Sequence, residues 1–196
     1  MSNSGERLAV IVGGASGIGW AGARALAEHG CRVVIADVNG DAARERAAEL
    51  GAPHSAATVD VTDEASVQRL FEGLSDEQRT LDIAVNCAGF SNVGLITDMP
   101  AEEFRAVIDV CLNGAFIVSK HAGRYLREGG SLIHISSLNG RQPAAGMSAY
   151  CAAKAGLSML TQVAALEMGP RGIRVNAVAP GFVHTPLTAA AASLAC

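Results

Sequence analysis

Tyr150 and Lys154 stand four positions apart in the run Tyr150-Cys-Ala-Ala-Lys154. On a helix this spacing puts both side chains on one face. A phenol with a pKa of about 10 is a poor base at neutral pH. An ammonium about 5 Å away, at an effective dielectric of about 20, favours the phenolate by about 3 kcal/mol, or roughly two pKa units. The pair is therefore expected to supply an acid–base group, although the same spacing also suits a tyrosine packed under a lysine stem. Ser137 lies thirteen residues before Tyr150, just past the apolar run Ser131–Ile135. If that run is a strand, Ser137 sits at its carboxyl end, where open α/β sheets bind ligands. Its hydroxyl can hold a carbonyl or alkoxide oxygen beside the phenol. The plain alternative for Ser136-Ser137 is a strand-to-loop turn.

A second cluster lies near the N-terminus. Gly13-Gly-Ala-Ser16-Gly17-Ile18-Gly19 follows the apolar run Leu8–Val12 and opens a helical pattern. A chain that turns sharply and lets a pyrophosphate approach its backbone needs residues without Cβ. The free N–H groups and dipole of the helix start then attract the phosphates. A glycine-rich turn with no ligand is the alternative, but the strand–turn–helix context favours dinucleotide binding. Asp37 follows Gly19 by eighteen residues, at the end of a second apolar run. A carboxylate there accepts hydrogen bonds from an adenosine ribose and repels a 2′-phosphate. No Arg or Lys lies in the glycine loop. The expected cofactor is therefore NAD(H) rather than NADP(H), with an ordinary cap or turn aspartate as the alternative for Asp37.

These groups need a scaffold, and the patterning supplies one. Strands are expected at Leu8–Val12, Arg32–Ala36, Ala57–Val59, Leu81–Val85, Ser131–Ile135 and Ile173–Val178. Helices are expected at Gly17–His29, Asp41–Leu50, Glu64–Leu74, Glu102–Arg127 (one long helix) and Ala149–Met168. Strands this apolar on both faces belong in a parallel sheet covered by helices on each side. Right-handed crossovers make that a doubly wound α/β sheet. Residues 1–187 are expected to form a single dinucleotide-binding and catalytic domain, and 188–196 an Ala-rich, uncharged tail with the composition of a frayed helix.

Composition narrows the function classes. The chain has 196 residues, is 49% hydrophobic and only 17% charged, and carries a net charge of −4. Intrinsic disorder is excluded, and with no basic stripe nucleic acid is not an expected partner. No apolar run is long enough to span a bilayer, and the first residues do not form a secretory signal. Cys31, Cys87, Cys111, Cys151 and Cys196 form no CxxC pair, so neither a disulfide framework nor a zinc ribbon is expected, and a cytoplasmic location fits best. The five histidines show no metal-binding spacing.

Taken in order, the motifs resemble the short-chain dehydrogenase/reductase family over nearly the whole chain. The glycine pattern is Gly13-x-x-x-Gly17-x-Gly19. Asp60-Val61 falls where the family binds the adenine ring. Asn86-Cys-Ala88-Gly89 follows the fourth strand. Ser137, Tyr150 and Lys154 match the catalytic triad, and Pro180-Gly181 with Val183 and Thr185 matches the segment that holds the nicotinamide carboxamide. The resemblance implies a Rossmann fold. It implies hydride transfer between nicotinamide and a secondary alcohol or carbonyl compound. Tyr150 would be general acid/base, Lys154 would lower its pKa and bind the nicotinamide ribose, and Ser137 would position the substrate oxygen. Asn86, Ala88 and Gly89 would support the sheet and the cofactor cleft. It also implies a homo-oligomer whose dimer packs the fourth and fifth helices.

Four departures stand out. Val12 replaces a threonine and Cys87 the second asparagine of the Asn-Asn-Ala-Gly pattern. Cys111 replaces the asparagine that anchors a water in the family's proton relay, and a thiol is a weak donor and acceptor. Asn113, about 200° further around a helix, is not expected to take over. The chain is also shorter than its family's usual length, so that a seventh strand is absent and Ile173–Val178 is expected as an apolar sheet edge. Cys111 and the missing substrate cover support a second expectation, a dinucleotide-binding protein with weak or no catalysis.

Overall fold

The computed structural model describes residues 6–74, 80–185 and 188. The expected domain end at 187 and the tail from 189 onward lie outside them. The strands are β1 (Arg7–Val12), β2 (Cys31–Asp37), β3 (Ser55–Thr58), β4 (Leu81–Asn86), β5 (Leu126–Ile135) and β6 (Arg174–Val178). They pair in parallel in the order β3-β2-β1-β4-β5-β6. The helices are α1 (Gly17–Glu28), α2 (Gly40–Leu50), α3 (Glu64–Glu72), α4 (Ala101–Ile108), α5 (Gly114–Tyr125) and α6 (Ser148–Met168). This is the doubly wound Rossmann arrangement, with β1 and β4 at the point where strand order reverses.

The alternation along β1 shows how both faces are filled. Leu8, Val10 and Val12 pack with Val67, Leu70 and Phe71 of α3, Val118 and Ala122 of α5 and Ala164 of α6. Ala9 and Ile11 pack with Ala23 of α1 and Ala43 and Ala47 of α2. Each fully buried Val, Leu or Ile contributes about 1.5–3 kcal/mol, so this core places the strand ends firmly. The small residues on the α1/α2 face let these helices lie close to the sheet.

Two expectations are corrected. The long helix expected at Glu102–Arg127 runs without interruption from Ala101 to Tyr125, but a wide π-type turn at Asp109–Asn113 divides it into α4 and α5. The segment has two partners to satisfy. Val107 and Cys111 pack on Ala149 and Ala153 of α6, whereas Val118 and Ala122 pack on the sheet. Strand β5 also starts at Leu126, immediately after α5, and not at Ser131. Gly129-Gly130 reads as a strand break in sequence. In the fold the register jumps from Leu81↔Leu126 to Ile83↔Ser131, so the glycines sit in an irregularity within the strand. Asp82 secures it, accepting from Arg127 Nε at 2.5 Å and from the Leu8 N–H at 2.8 Å.

Local stop and start signals match the elements. Gly30 and Gly51, after α1 and α2, take positive φ values of 74° and 77°. The Asp63 carboxylate caps α3 by accepting the Ala65 N–H. Strand β6 is the sheet's outer strand among the described residues, with Arg174 and Asn176 to Val178 exposed.

Candidate active site

The glycine loop is shaped by close approach. Gly13 and Gly14 N–H both donate to the Ala36 carbonyl, at 2.8 and 3.1 Å. Gly13 has φ +75°, and a Cβ on it would stand 2.7 Å from the Ala88 nitrogen. A Cβ on Gly19 would stand 2.1 Å from the Gly13 carbonyl oxygen. The loop and the β4 end are thus pressed together with no room for side chains. Ser16 is the N-cap of α1, and its side chain caps no helix N–H. The first-turn N–H groups therefore stay available to an anion.

The Ala15 peptide is held from two elements. Its N–H donates to Asp37 Oδ2 at 3.0 Å, and its carbonyl accepts from Arg46 Nε of α2 at 3.3 Å. Asp37 Oδ1 accepts the Asn39 N–H at 3.0 Å. Asp37 therefore also anchors the loop, and each of its oxygens retains a further lone pair for a ligand. The Arg46 guanidinium lies 5.1 Å over the Trp20 ring, which is otherwise packed against the α1/α2 core.

One cleft of about 540 Å³ runs along the carboxyl ends of the strands. Gly13, Ser16, Gly17, Ile18, Gly19 and Asp37 line one end of its wall, and Asp60 and Val61 adjoin them. Ala88, Gly89, Ser137, Tyr150 and Lys154 line it too, as do Pro180, Gly181, Val183 and Thr185. Asn86, expected among the cofactor-binding residues as a support of the sheet and cleft, is not in the lining. It is 2% exposed and sits behind the wall, its Oδ1 accepting the Ala88 N–H at 3.2 Å. Phe90, at the start of the loop expected to line the substrate pocket, is in the lining, whereas sequence reasoning missed Val38, Val59, Thr62 and Val110. Nothing in their types or spacing marked them.

Helix α6 carries both members of the Tyr150–Lys154 pair. Lys154 is buried, donates from Nζ to the Ile135 carbonyl at 2.7 Å and stands 5.5 Å from the Tyr150 ring centroid. Its backbone is clamped as well. Ser136 Oγ and Ser158 Oγ both donate to the Lys154 carbonyl, at 3.2 and 2.9 Å. A Cβ on Gly140 would lie 2.8 Å from that same oxygen. Ser136, set aside as a turn residue, thus places the lysine. Ser137 Oγ accepts the Asn139 N–H at 3.1 Å in the strand-to-loop turn, and its hydroxyl hydrogen-bonds the Tyr150 phenol.

The electrostatics depart from expectation. Burial pushes the Tyr150 phenol above its ordinary value, Ser137 opposes this, and Cys111 and Cys151 add to it. Lys154 does not pull it down. The ammonium lies over the ring face, one of its three N–H groups is committed to Ile135, and burial disfavours its own charge. Cys111 Sγ donates to the Phe90 carbonyl at 3.3 Å. A Cβ on Gly89 would touch Cys111 Sγ at 3.3 Å and Lys154 Nζ at 3.5 Å, so thiol and ammonium share the floor behind Gly89. Burial raises the Cys111 thiol and pushes Cys87 up to about 12 despite the Lys154 charge. Both stay neutral. Asn113 is exposed and donates to Asp109, so it does not stand in for an asparagine at Cys111.

Among the described residues no group of three or more His, Cys, Asp or Glu could hold a metal ion, and no helix is long and apolar enough to cross a membrane. A glycine-cradled cleft at the strand ends, with Ser, Tyr and Lys converging on it, defines a nucleotide-dependent oxidoreductase scaffold. Comparison with known proteins agrees. Residues 13–195 match the family model described as enoyl-(acyl carrier protein) reductase. A cis-4-hydroxycyclohexanecarboxylate dehydrogenase of Sinomonas cyclohexanicum is 43% identical over 189 residues, spanning 94% of this chain and 76% of the relative. Carbonyl reductase family member 4 of Danio rerio is 39% identical, over 94% of this chain and 78% of the relative. The structure of a short-chain type dehydrogenase/reductase from Mycobacterium ulcerans superposes with a TM-score of 0.89 at 34% identity, over 94% of this chain and 70% of that one. The chain belongs to the short-chain dehydrogenase/reductase family.

Proposed function

We propose that the protein is an NAD(H)-dependent oxidoreductase that interconverts a secondary alcohol and a ketone, with Tyr150 as general acid/base. The observation that carries the reading is the convergence of the glycine loop, Asp37, Ser137, Tyr150 and Lys154 on one cleft. A cradle that a Cβ on Gly13 or Gly19 would fill fits a pyrophosphate held by backbone N–H groups. Asp37 would take the adenosine ribose hydroxyls, Asp60 and Val61 the adenine, and Pro180, Gly181, Val183 and Thr185 the nicotinamide end. When bound, the nicotinamide supplies or accepts the hydride.

The chain's own groups then handle the proton and the oxygen. Ser137 holds the substrate oxygen next to the phenol. In the reducing direction Tyr150 gives its proton to the forming alkoxide, and in the oxidising direction it takes one from the alcohol. Lys154, clamped by Ser136 and Ser158, turns its charge to the cofactor ribose and the phenol. The raised Tyr150 pKa favours the protonated, acid form until a neighbouring positive charge opposes it.

The loops at 90–97 and 138–147 are joined where the Gly94 N–H donates to the Gly146 carbonyl at 2.9 Å. With Phe90, Met99 and Met147 nearby they suit a modest apolar carbon skeleton, such as the cyclohexane ring of the hydroxy acid named for the Sinomonas relative. Exposed Phe104, Phe116, Met159, Val163 and Leu166 on α4, α5 and α6 support a homodimer packed through these helices. The free thiols at Cys31, Cys87, Cys111 and Cys151 support a reducing cytoplasm.

Trp20, the single tryptophan, adjoins the loop and reports binding. Titration should show NADH binding at least about fivefold more tightly than NADPH, since two like charges in contact in water cost about 1 kcal/mol or more. Equal affinities overturn the cofactor assignment, and binding of neither overturns the dinucleotide reading. The second reading, a binder with weak catalysis, is favoured by the Cys111 thiol donating only to Phe90. On that account Cys111→Asn should raise kcat at least about threefold, a small share of the roughly 10²–10⁴ that a placed proton-transfer group contributes. An unchanged or lower kcat refutes the relay defect.

A further inference from the structure

A chain of hydrogen bonds runs through the core behind the cleft wall. Asn86 Oδ1 accepts the Ala88 N–H at 3.2 Å, and Asn86 Nδ2 lies 3.4 Å from His134 Nδ1. His134 Nε2 lies 3.0 Å from Ser119 Oγ, which donates to the Ala115 carbonyl at 2.7 Å. Asn86, His134 and Ser119 are all buried, with His134 0% exposed.

The direction of every bond follows from the far end. The single Ser119 proton is committed to Ala115, so Ser119 Oγ accepts and His134 Nε2 must carry a hydrogen. The neutral ring then has a lone pair on Nδ1, which accepts from the Asn86 amide N–H. That fixes the amide with its oxygen toward Ala88. Ala88 is the residue whose nitrogen would stand 2.7 Å from a Cβ on Gly13, and the adjacent Cys87 N–H donates to the Val12 carbonyl at 2.7 Å. The chain therefore ends on the wall that faces the glycine loop.

We propose that His134, held as the neutral Nε2–H tautomer between Ser119 and Asn86, is a positioning residue for the dinucleotide site. It sets the orientation of the Asn86 carboxamide and through it the Ala88–Gly89 wall. This rests on the dinucleotide reading given above. A protonated His134 would aim Nδ1–H at the Asn86 amide hydrogens. The amide would have to turn over, and Ala88 would lose its acceptor. Burial above all, and then the charge of Lys154 on α6, keeps His134 neutral down to about 4. A histidine in the unfolded chain titrates near 6.5. Between those values only the unfolded chain takes up the proton, so stability falls as pH drops from about 6.5 to about 4 and the loss is complete below that.

The test is NAD⁺ titration by Trp20 fluorescence at neutral pH, with nitrogen NMR of the imidazole ring. In His134→Asn the side-chain oxygen can replace Nδ1 as acceptor. It should keep wild-type affinity within about twofold and lose the acid-dependent drop in stability. His134→Leu leaves Asn86 without its acceptor and should weaken NAD⁺ by about five- to tenfold in the folded protein. If the leucine variant does not fold, Ser119→Ala serves in its place. It frees the tautomer and should give mixed Nδ1–H and Nε2–H forms with NAD⁺ weakened by about threefold or more. Unaltered affinity in the leucine variant, or in Ser119→Ala where that replaces it, overturns the proposal, as does a wild-type ring protonated at Nδ1. Failure of the wild type to bind NAD⁺ at all is a distinct outcome that overturns the dinucleotide reading and this inference with it.

Discussion

Tyr150→Phe is expected to lower kcat by about 10²–10⁴ in either direction, the usual share of a positioned acid–base group. The ring under Lys154 and its packing with Val107, Ala149 and Ala153 are kept, so the variant should fold like the wild type. Only the hydroxyl that Ser137 hydrogen-bonds is removed. Losing one hydrogen bond weakens dinucleotide binding by less than about tenfold, so kcat and affinity should separate. The pH profile adds a second signature. Because the phenol is pushed above its ordinary value, alcohol oxidation in the wild type should climb with pH as the base form appears. Carbonyl reduction, which uses the acid form, should not climb. The variant should lack the rising limb. A kcat above roughly a tenth of wild type would remove Tyr150 from the chemistry.

Gly19→Ala is expected to abolish measurable dinucleotide binding, a loss of at least about a hundredfold, and to lower stability by about 1–3 kcal/mol. The added Cβ would lie 2.1 Å from the Gly13 carbonyl oxygen and 3.0 Å from its carbon. Gly13 cannot yield easily, because it is wedged against Ala88 at φ +75°. Gly22→Ala, on the same helix, is the internal control. A Cβ there meets nothing within 4 Å. It should bind normally and gain about 0.5–1 kcal/mol from the better helix former. Thermal melts and NADH titration of the two variants side by side distinguish contact from composition. Similar behaviour of the two would show that close approach at Gly19 is not what the loop depends on.

Much of the fold was legible because its signals are local. The apolar runs marked every strand but the start of β5 within about two residues, and the elements end or begin next to Gly30, Gly51 and Asp63. The glycine loop and the Ser137, Tyr150 and Lys154 constellation were legible for the same reason, as spacings tied to strand ends. What escaped depends on contacts far apart in sequence. Asn86 reads as a cleft residue until its amide is found between Ala88 and His134. Ser136 reads as a turn until Lys154 and Ser158 close around it. The direction of the Tyr150 shift escaped because spacing gives the proximity of Lys154 but not which part of the tyrosine it faces. The π-turn inside the long helix escaped because Asp109–Asn113 contains no proline or glycine to announce it.

That wide turn has a consequence for how the chain can vary. A π-type turn holds one residue more than an α-turn, so it offsets the angular phase of all that follows by about 100°. Before the turn the phase serves α6, and after it the phase serves the sheet. The supernumerary residue acts as a gear between two interfaces that a uniform helix could not mesh with together. A single deletion within 109–113 should be absorbed there as a plain α-turn that leaves both faces in place, whereas a deletion inside α4 or α5 would rotate either Val107 and Cys111 or Val118 and Ala122 out of contact by about 100°.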